Sequence, residues 1–288
     1  MAITAADVKK LRDQTGAGMM DCKSALEEAQ GNFDEATTIL RKKGLASAAK
    51  KAGRAMSEGL IGNKVAPDHA SGVLVEVNCE SDFVARTDDF QQLMANIIAE
   101  IEKAGDAAND AWLKDPNAPV YPLVAAAIAK LGENMAVPRF VRYAGNGYVG
   151  QYIHLGGKLG VQVEFSGVTP DVAAKDDFVT MVKEIAMQIA AASPSYAARS
   201  EVPSEALDKE KAIYRAQMEN SGKPANVIDK IVEGKLGSFY AQVVLIDQPS
   251  IRDPKMSVAD VIAATNKSLG AKIGVTRFSR LKVGEASA

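Results

Sequence analysis

Apolar residues recur at helical spacing through the start of the chain and change to strand-like runs beyond residue 58. Ile3-Thr4-Ala5-Ala6-Asp7 reads as a staple, an N-cap and a capping-box acid ahead of a first helix carrying Val8 and Leu11. Gly16-Ala17-Gly18 stops it. A second helix carries Cys22, Ala25, Leu26 and Ala29 and ends at Gly31-Asn32; a third carries Ala36, Ile39 and Leu40, with Gly44 as its expected end. Three helices in so short a span bury only a small core, which suits docking better than housing a catalytic cleft. Residues 44–58, rich in Ala, Lys and Gly, read as a partly helical linker. From Gly59 the pattern predicts a hairpin through Leu60-Ile61 and 73–77, a polar loop over 78–87, and a helix with Phe90, Leu93, Ile97 and Ile101 on one face.

The same order returns: a hairpin through Tyr148–Ile153 and 161–165, a loop, and a helix with Phe178, Met181, Ile185 and Ile189. Residues 59–101 align without gaps onto 147–189, Gly59 meeting Gly147, Gly72 meeting Gly160 and Glu76 meeting Glu164. Each copy closes alike, with Leu131-Gly132 and Val137-x-Arg139-Phe140-x-Arg142 in the first and Leu269-Gly270 and Val275-x-Arg277-Phe278-x-Arg280 in the second. The pattern predicts two strand–strand–helix–helix–strand units, an α+β arrangement with helices on one face of each antiparallel sheet. The second unit holds an insertion: a helix from Pro203-Ser204 to about Asn220, a break at Ser221-Gly222-Lys223-Pro224, and a helix with Val227, Ile231, Phe239 and Val243. Leu207, Tyr214 and Met218 are too sparse for a core element, so a projecting helical hairpin with a narrow seam is expected.

Repeated positions report the shared fold. Unmatched positions with pointed chemistry are better candidates for function, and two stand out: Asp82-Phe83 against Pro170-Asp171, and His154 against Ala66. Phe83 either pins its loop to the core or stands exposed as an anchor for a partner's pocket. Asp82 either caps the loop or competes for donors in a partner. His154 is either an ordinary surface histidine or a contact. Met19-Met20, just after a glycine loop, either fill the small core or offer an adaptable docking surface.

Composition narrows the classes. The 288 residues are 47% apolar and 24% charged with a net charge of −2, a globular mixture without the positive balance of a dedicated nucleic-acid binder. From Arg41 to Arg54 the charges are all basic, which reads as a solvated connecting stretch or, alternatively, a phosphate or nucleic-acid contact. No apolar run spans a bilayer and the opening residues lack a signal-peptide pattern, so a cytoplasmic protein is expected. Cys22 and Cys79, far apart in apolar stretches, suit reduced buried thiols. Catalytic signatures are missing: Gly16-Ala17-Gly18 has no Lys-Ser/Thr after it, no Cys-x-x-Cys or His-Glu-x-x-His occurs, and His69 and His154 are the only histidines. Neither enzyme chemistry, nor a metal, nor a cofactor is expected.

Two segments then resemble the signatures of the bacterial elongation factor Ts family: Thr15-Gly16-Ala17-Gly18-Met19-Met20-Asp21-Cys22-Lys23, and Val75-Glu76-Val77-Asn78-Cys79-Glu80-Ser81-Asp82-Phe83-Val84-Ala85. Lys130-Leu131-Gly132-Glu133-Asn134 and Ser221-Gly222-Lys223-Pro224 are similar to its pattern in the same order, so the resemblance covers nearly the whole chain. It implies an N-terminal three-helix domain like ubiquitin-associated modules with its linker (1–54), a core of two repeated subdomains (55–145; 146–196 with 236–288), and an inserted helical hairpin (197–235). It implies a guanine-nucleotide exchange factor that binds elongation factor Tu with GDP, perturbs its magnesium and phosphate site, and promotes GDP release so that GTP binds. The magnesium-dislocating loop would be Ser81, Asp82, Phe83 and Val84, with Met19, Met20, Leu131, Gly132 and His154 as further partner contacts. Self-association through the hairpin is implied for some members; direct nucleic-acid binding is not expected. Ser81 stands where the family commonly has Thr. Some members continue past a segment like 282–288 into a C-terminal helix that touches the partner, a contact not carried over to this chain. A module that binds without exchange, and an RNA-binding translation protein resting on the basic run, are the competing readings.

Overall fold

A computed structural model describes residues 3–218 and 224–285. It opens with α1 (Ala5–Thr15), α2 (Met19–Glu28) and α3 (Phe33–Lys51). Asp7 N donates to Thr4 Oγ1 at 3.2 Å and Thr4 N donates to Asp7 Oδ2 at 3.0 Å, which is the expected capping box. Gly16 ends α1 in the left-handed region at φ 69°. Leu11, Cys22, Leu26 and Ala36 anchor a small core of their own.

The first repeat copy follows as β1 (Glu58–Val65), β2 (Ser71–Cys79), α4 (Asp82–Ala85), α5 (Asp88–Ala104), α6 (Asp110–Lys114), α7 (Val120–Leu131) and β3 (Met135–Ala144). The second is β4 (Tyr148–Ile153), β5 (Leu159–Ser166), α8 (Pro170–Ala173), α9 (Asp176–Ala192), α10 (Ser204–Ala216), α11 (Ala225–Val243), α12 (Val258–Leu269) and β6 (Gly274–Lys282). Each copy makes a three-stranded antiparallel sheet, in the orders β1-β2-β3 and β4-β5-β6. One core packs α5 and α7 on the first sheet around Phe90, Ile97 and Ile101; the other packs α9 and α12 on the second around Phe178, Ile185 and Ile189. The chain is α+β, as its periodicity predicts.

Two local expectations fail. Helix α3 does not end at Gly44, so most of the supposed linker is helix up to Lys51. Gly44 is buried inside α3 beside α7, where a Cβ would lie 3.6 Å from the Ala125 carbonyl. The following Leu45-Ala46-Ser47-Ala48-Ala49 favours helix strongly enough to outweigh one glycine, which costs about 1 kcal/mol relative to alanine. Lys51 Nζ then donates to Ile128 O at 3.2 Å, fastening α3 to α7. The polar loop over 78–87 likewise contains a helical turn, α4, because Ser81 caps it.

The repeated glycines and charges find their reason in how the two copies meet. The sheets pack face to face on the sides away from their helices, around Ile61, Leu74 and Leu281. A Cβ on Gly160 would come 2.6 Å from Ile61 Cγ2, and one on Gly72 would come 2.7 Å from Gln162 Oε1, so both repeat positions need the bare backbone. Glu76 lies opposite Arg139 and Glu164 opposite Arg277, with Nε-to-carboxylate distances of 2.7 and 2.6 Å. Each buried carboxylate thus has its charge partner on the neighbouring strand.

Helices α10 and α11 pack on each other; no described residue of α10 is buried, and Arg215 bonds Asp229 at 2.9 Å across the seam. The break expected at Ser221-Gly222-Lys223 and the last three residues lie outside the described residues. No described helix is long and apolar enough to cross a membrane.

Candidate partner-binding site

The path from β2 to α5 makes a tight, capped corner. Ser81 is extended and its Oγ accepts from Val84 N at 3.4 Å, starting the single turn Asp82–Ala85. Thr87 then caps α5, accepting from Phe90 N at 3.3 Å. Within that turn Ala85 is buried and Val84 packs on the core, which leaves the preceding Asp82 and Phe83 to face outward. Phe83 is 81% exposed. The second copy builds the same turn from Thr169, which caps α8 by accepting from Val172 N at 3.4 Å, and places Asp171 outward at the position matching Phe83. The fold therefore presents this position to solvent in both copies and does not use it as a core pin. Asp82 bonds Arg86 Nη2 at 2.8 Å, an exposed pair of little energetic weight.

Beneath the turn lies Cys79. Its Sγ donates to Ser81 O at 3.1 Å, and burial, helped by the nearby Glu133 and Glu58 carboxylates, pushes its pKa up to about 11. Burial also raises Cys22. Neither cysteine forms a disulfide. Both thiols are expected to stay unreacted with Ellman's reagent at pH 8 in the native chain and to react fully in denaturant, because only the thiolate attacks. Rapid native labelling would contradict the burial.

Leu131 and Gly132 close α7 next to this corner. Gly132 is the left-handed C-cap at φ 82°, and Leu131 is half-buried against the core, so of the two only the glycine is freely presented. Glu133 and Asn134, immediately after, reach the corner itself. Lys130 bonds Asp89 at 2.7 Å at the start of α5 while its side chain passes beside Gly16. The Lys130–Asn134 segment thus touches both the N-terminal helices and the Phe83 turn. Met19 and Met20 begin α2, 42% and 75% exposed, and fill no core.

His154 sits on the exposed tip between β4 and β5, its Nδ1 3.0 Å from Tyr152 OH. That tip is fastened to the first copy by Ile61 N donating to Gly157 O at 2.7 Å. Between them runs a groove of about 800 Å³ whose walls include Arg86 from the end of the Phe83 turn, Met94 and Ile98 from α5, and Gly156-Gly157 from the tip. The groove runs from Arg86, just past the Phe83 turn, to Gly156-Gly157, just past His154, and is lined by neither Phe83 nor His154. Sequence reasoning missed Leu155, which is 94% exposed beside His154. The mismatch that flagged His154 extends one place further, to Leu155 against Pro67, and would have found it. Among the described residues no cluster of His, Cys, Asp and Glu could hold a metal ion.

A family model described as elongation factor TS matches residues 80–285. Full-length similarity is as clear. The chain is 44% identical over 291 residues to elongation factor Ts of Trichlorobacter lovleyi, covering 99% of this chain and 94% of that one. It is 43% identical over 294 residues to the protein of that name from Aquifex aeolicus, covering 99% of each. The chain belongs to the elongation factor Ts family. It is a translation elongation factor by that membership, and the family match begins at Glu80, the first residue of the Phe83 corner. The N-terminal helices precede the segment matched by the family, yet the full-length alignments to elongation factor Ts include them.

Proposed function

We propose that this chain is a guanine-nucleotide exchange factor for elongation factor Tu, acting in the cytoplasm without covalent chemistry. The observation that carries the reading is Phe83, held 81% exposed on a capped turn where the other copy of the fold carries Asp171. An exposed aromatic ring gains free energy when a partner's pocket takes it up, as aromatic anchors do at interface hot spots. On this reading Ser81, Asp82, Phe83 and Val84 enter beside the magnesium and phosphates of bound GDP. Residues 1–54 dock through Met19 and Met20, and Gly132, His154 and Leu155 extend the contact from the two core subdomains. The hairpin around 197–235, with Ile213 and Val227 exposed, serves self-association.

A protein that binds the distorted, empty nucleotide cradle more tightly than the GDP-filled one must weaken GDP by the same factor. The test is calorimetric. The chain should bind nucleotide-free elongation factor Tu far more tightly than the GDP–magnesium form; equal affinity for the two forms would leave a binding module without exchange. Met20→Ala should raise the dissociation constant about tenfold, on the order of 1.4 kcal/mol, with an unchanged melting curve. Unchanged affinity would remove Met20 from the docking surface.

A further inference from the structure

The corner that bears Phe83 is tied down by a carboxylate from another element. Glu133, just past the Gly132 cap of α7, accepts from Glu80 N at 3.1 Å, from Ser81 N at 3.0 Å and from Ser81 Oγ at 2.5 Å. Glu80 in turn accepts from Asn134 N at 2.6 Å, and the buried Asn134 donates through Nδ2 to Arg54 O at 2.9 Å. Two backbone amides and a hydroxyl therefore converge on one carboxylate, a strong charge-assisted set.

The second copy of the fold does without it. Extending the repeat alignment through the closing segments, Glu80, Glu133 and Asn134 meet Val168, Ala271 and Lys272. Ala271 offers no side-chain acceptor, yet Thr169 still caps the matching turn. There the junction is closed by backbone against backbone: Gly167, at φ 72°, has Lys272 O where a Cβ would sit. Closing the turn does not require the carboxylate, and the copy that has it is the copy that carries the exposed phenylalanine.

We propose that Glu133 is a positioning residue for exchange: it holds the Ser81–Phe83 corner in its partner-ready geometry before the partner arrives. This rests on the reading of Phe83 as the exchange probe. A preorganised corner spends none of the binding free energy on its own ordering, so a mobile corner would still allow docking but would deliver Phe83 less effectively. The clamp also continues through Asn134 to Arg54, beyond the end of α3, so the segment leading from the N-terminal helices and the probe share one anchor.

The experiment uses the full chain with Glu133→Gln and Glu133→Ala. Gln keeps the size but turns one acceptor into a donor facing donors. Amide hydrogen exchange of the free protein should speed up most at Glu80 and Ser81 in both variants, while the chain still melts in one cooperative transition within a few degrees of the parent chain. The maximal rate of stimulated GDP release should fall about tenfold with little change in the half-saturating concentration. Adding Phe83→Ala to either variant should cost nothing beyond Phe83→Ala alone, because both changes remove the same step. Unchanged amide protection, a global loss of stability, a defect confined to half-saturation, or losses that multiply with Phe83→Ala would each overturn the proposal. If the parent chain itself does not speed release, the exchange reading fails, and the clamp is then judged by the amide protection alone.

Discussion

Phe83→Ala is expected to lower the maximal rate of chain-stimulated GDP release from elongation factor Tu by about 30- to 100-fold, on the order of 2–3 kcal/mol of lost interaction. Stability should hardly move. Phe83 is 81% exposed and the cap, the clamp and the buried Ala85 of its turn all lie elsewhere, so a change within about 0.5 kcal/mol is expected. The natural control is already in the fold, since the second copy forms the same turn with Asp171 in that place. Stopped-flow release and a thermal melt together read both halves of the expectation. A rate unaffected by the substitution would move the mechanism to another contact, and a large drop in melting temperature would make Phe83 a structural residue.

Phe90→Ala, seven positions along, should behave in the opposite way. Phe90 is fully buried in the core between the first sheet and α5, among Val75, Leu93 and Ile97. Removing its ring should cost about 3–5 kcal/mol, the sum of lost transfer free energy and the cavity left behind. The urea midpoint should fall accordingly, and exchange should be lost only in step with the folded fraction. Its repeat partner Phe178 is equally buried, and the mismatch rule separates the two kinds of phenylalanine cleanly: the matched one belongs to the fold, the unmatched one does not. A cost under about 1 kcal/mol would show that the core collapses around the gap.

The hydrophobic period made most of the elements legible. Thr4 and Asp7 announced α1, and the spacing of Phe90, Leu93, Ile97 and Ile101 announced α5, because caps and buried faces are local. Gly44 misled for a physical reason. A glycine reads as a helix end when nothing is known of the neighbour it must approach, and here that neighbour, α7, lies far along the chain. The face-to-face packing of the sheets was hidden in the same way: Gly72 and Gly160 were visible as repeated residues, but their purpose depends on Gln162 and Ile61 of the opposite sheet. Exposure removed the core-filling reading of Phe83, Met19 and Met20, since periodicity cannot say which way a side chain points from a single turn or from the first residues of a helix. Leu155 against Pro67 and Glu133 against Ala271 are mismatches of the same kind as Phe83 against Asp171, and both are legible in the repeat.

The most direct test of exchange is the dissociation of fluorescent GDP from elongation factor Tu, followed by stopped flow at rising concentrations of this chain. The expected result is a release rate that climbs to a plateau far above the spontaneous rate, reached with the parent chain and not with Phe83→Ala. A rate that stays at the spontaneous value while the two proteins demonstrably form a complex would contradict it.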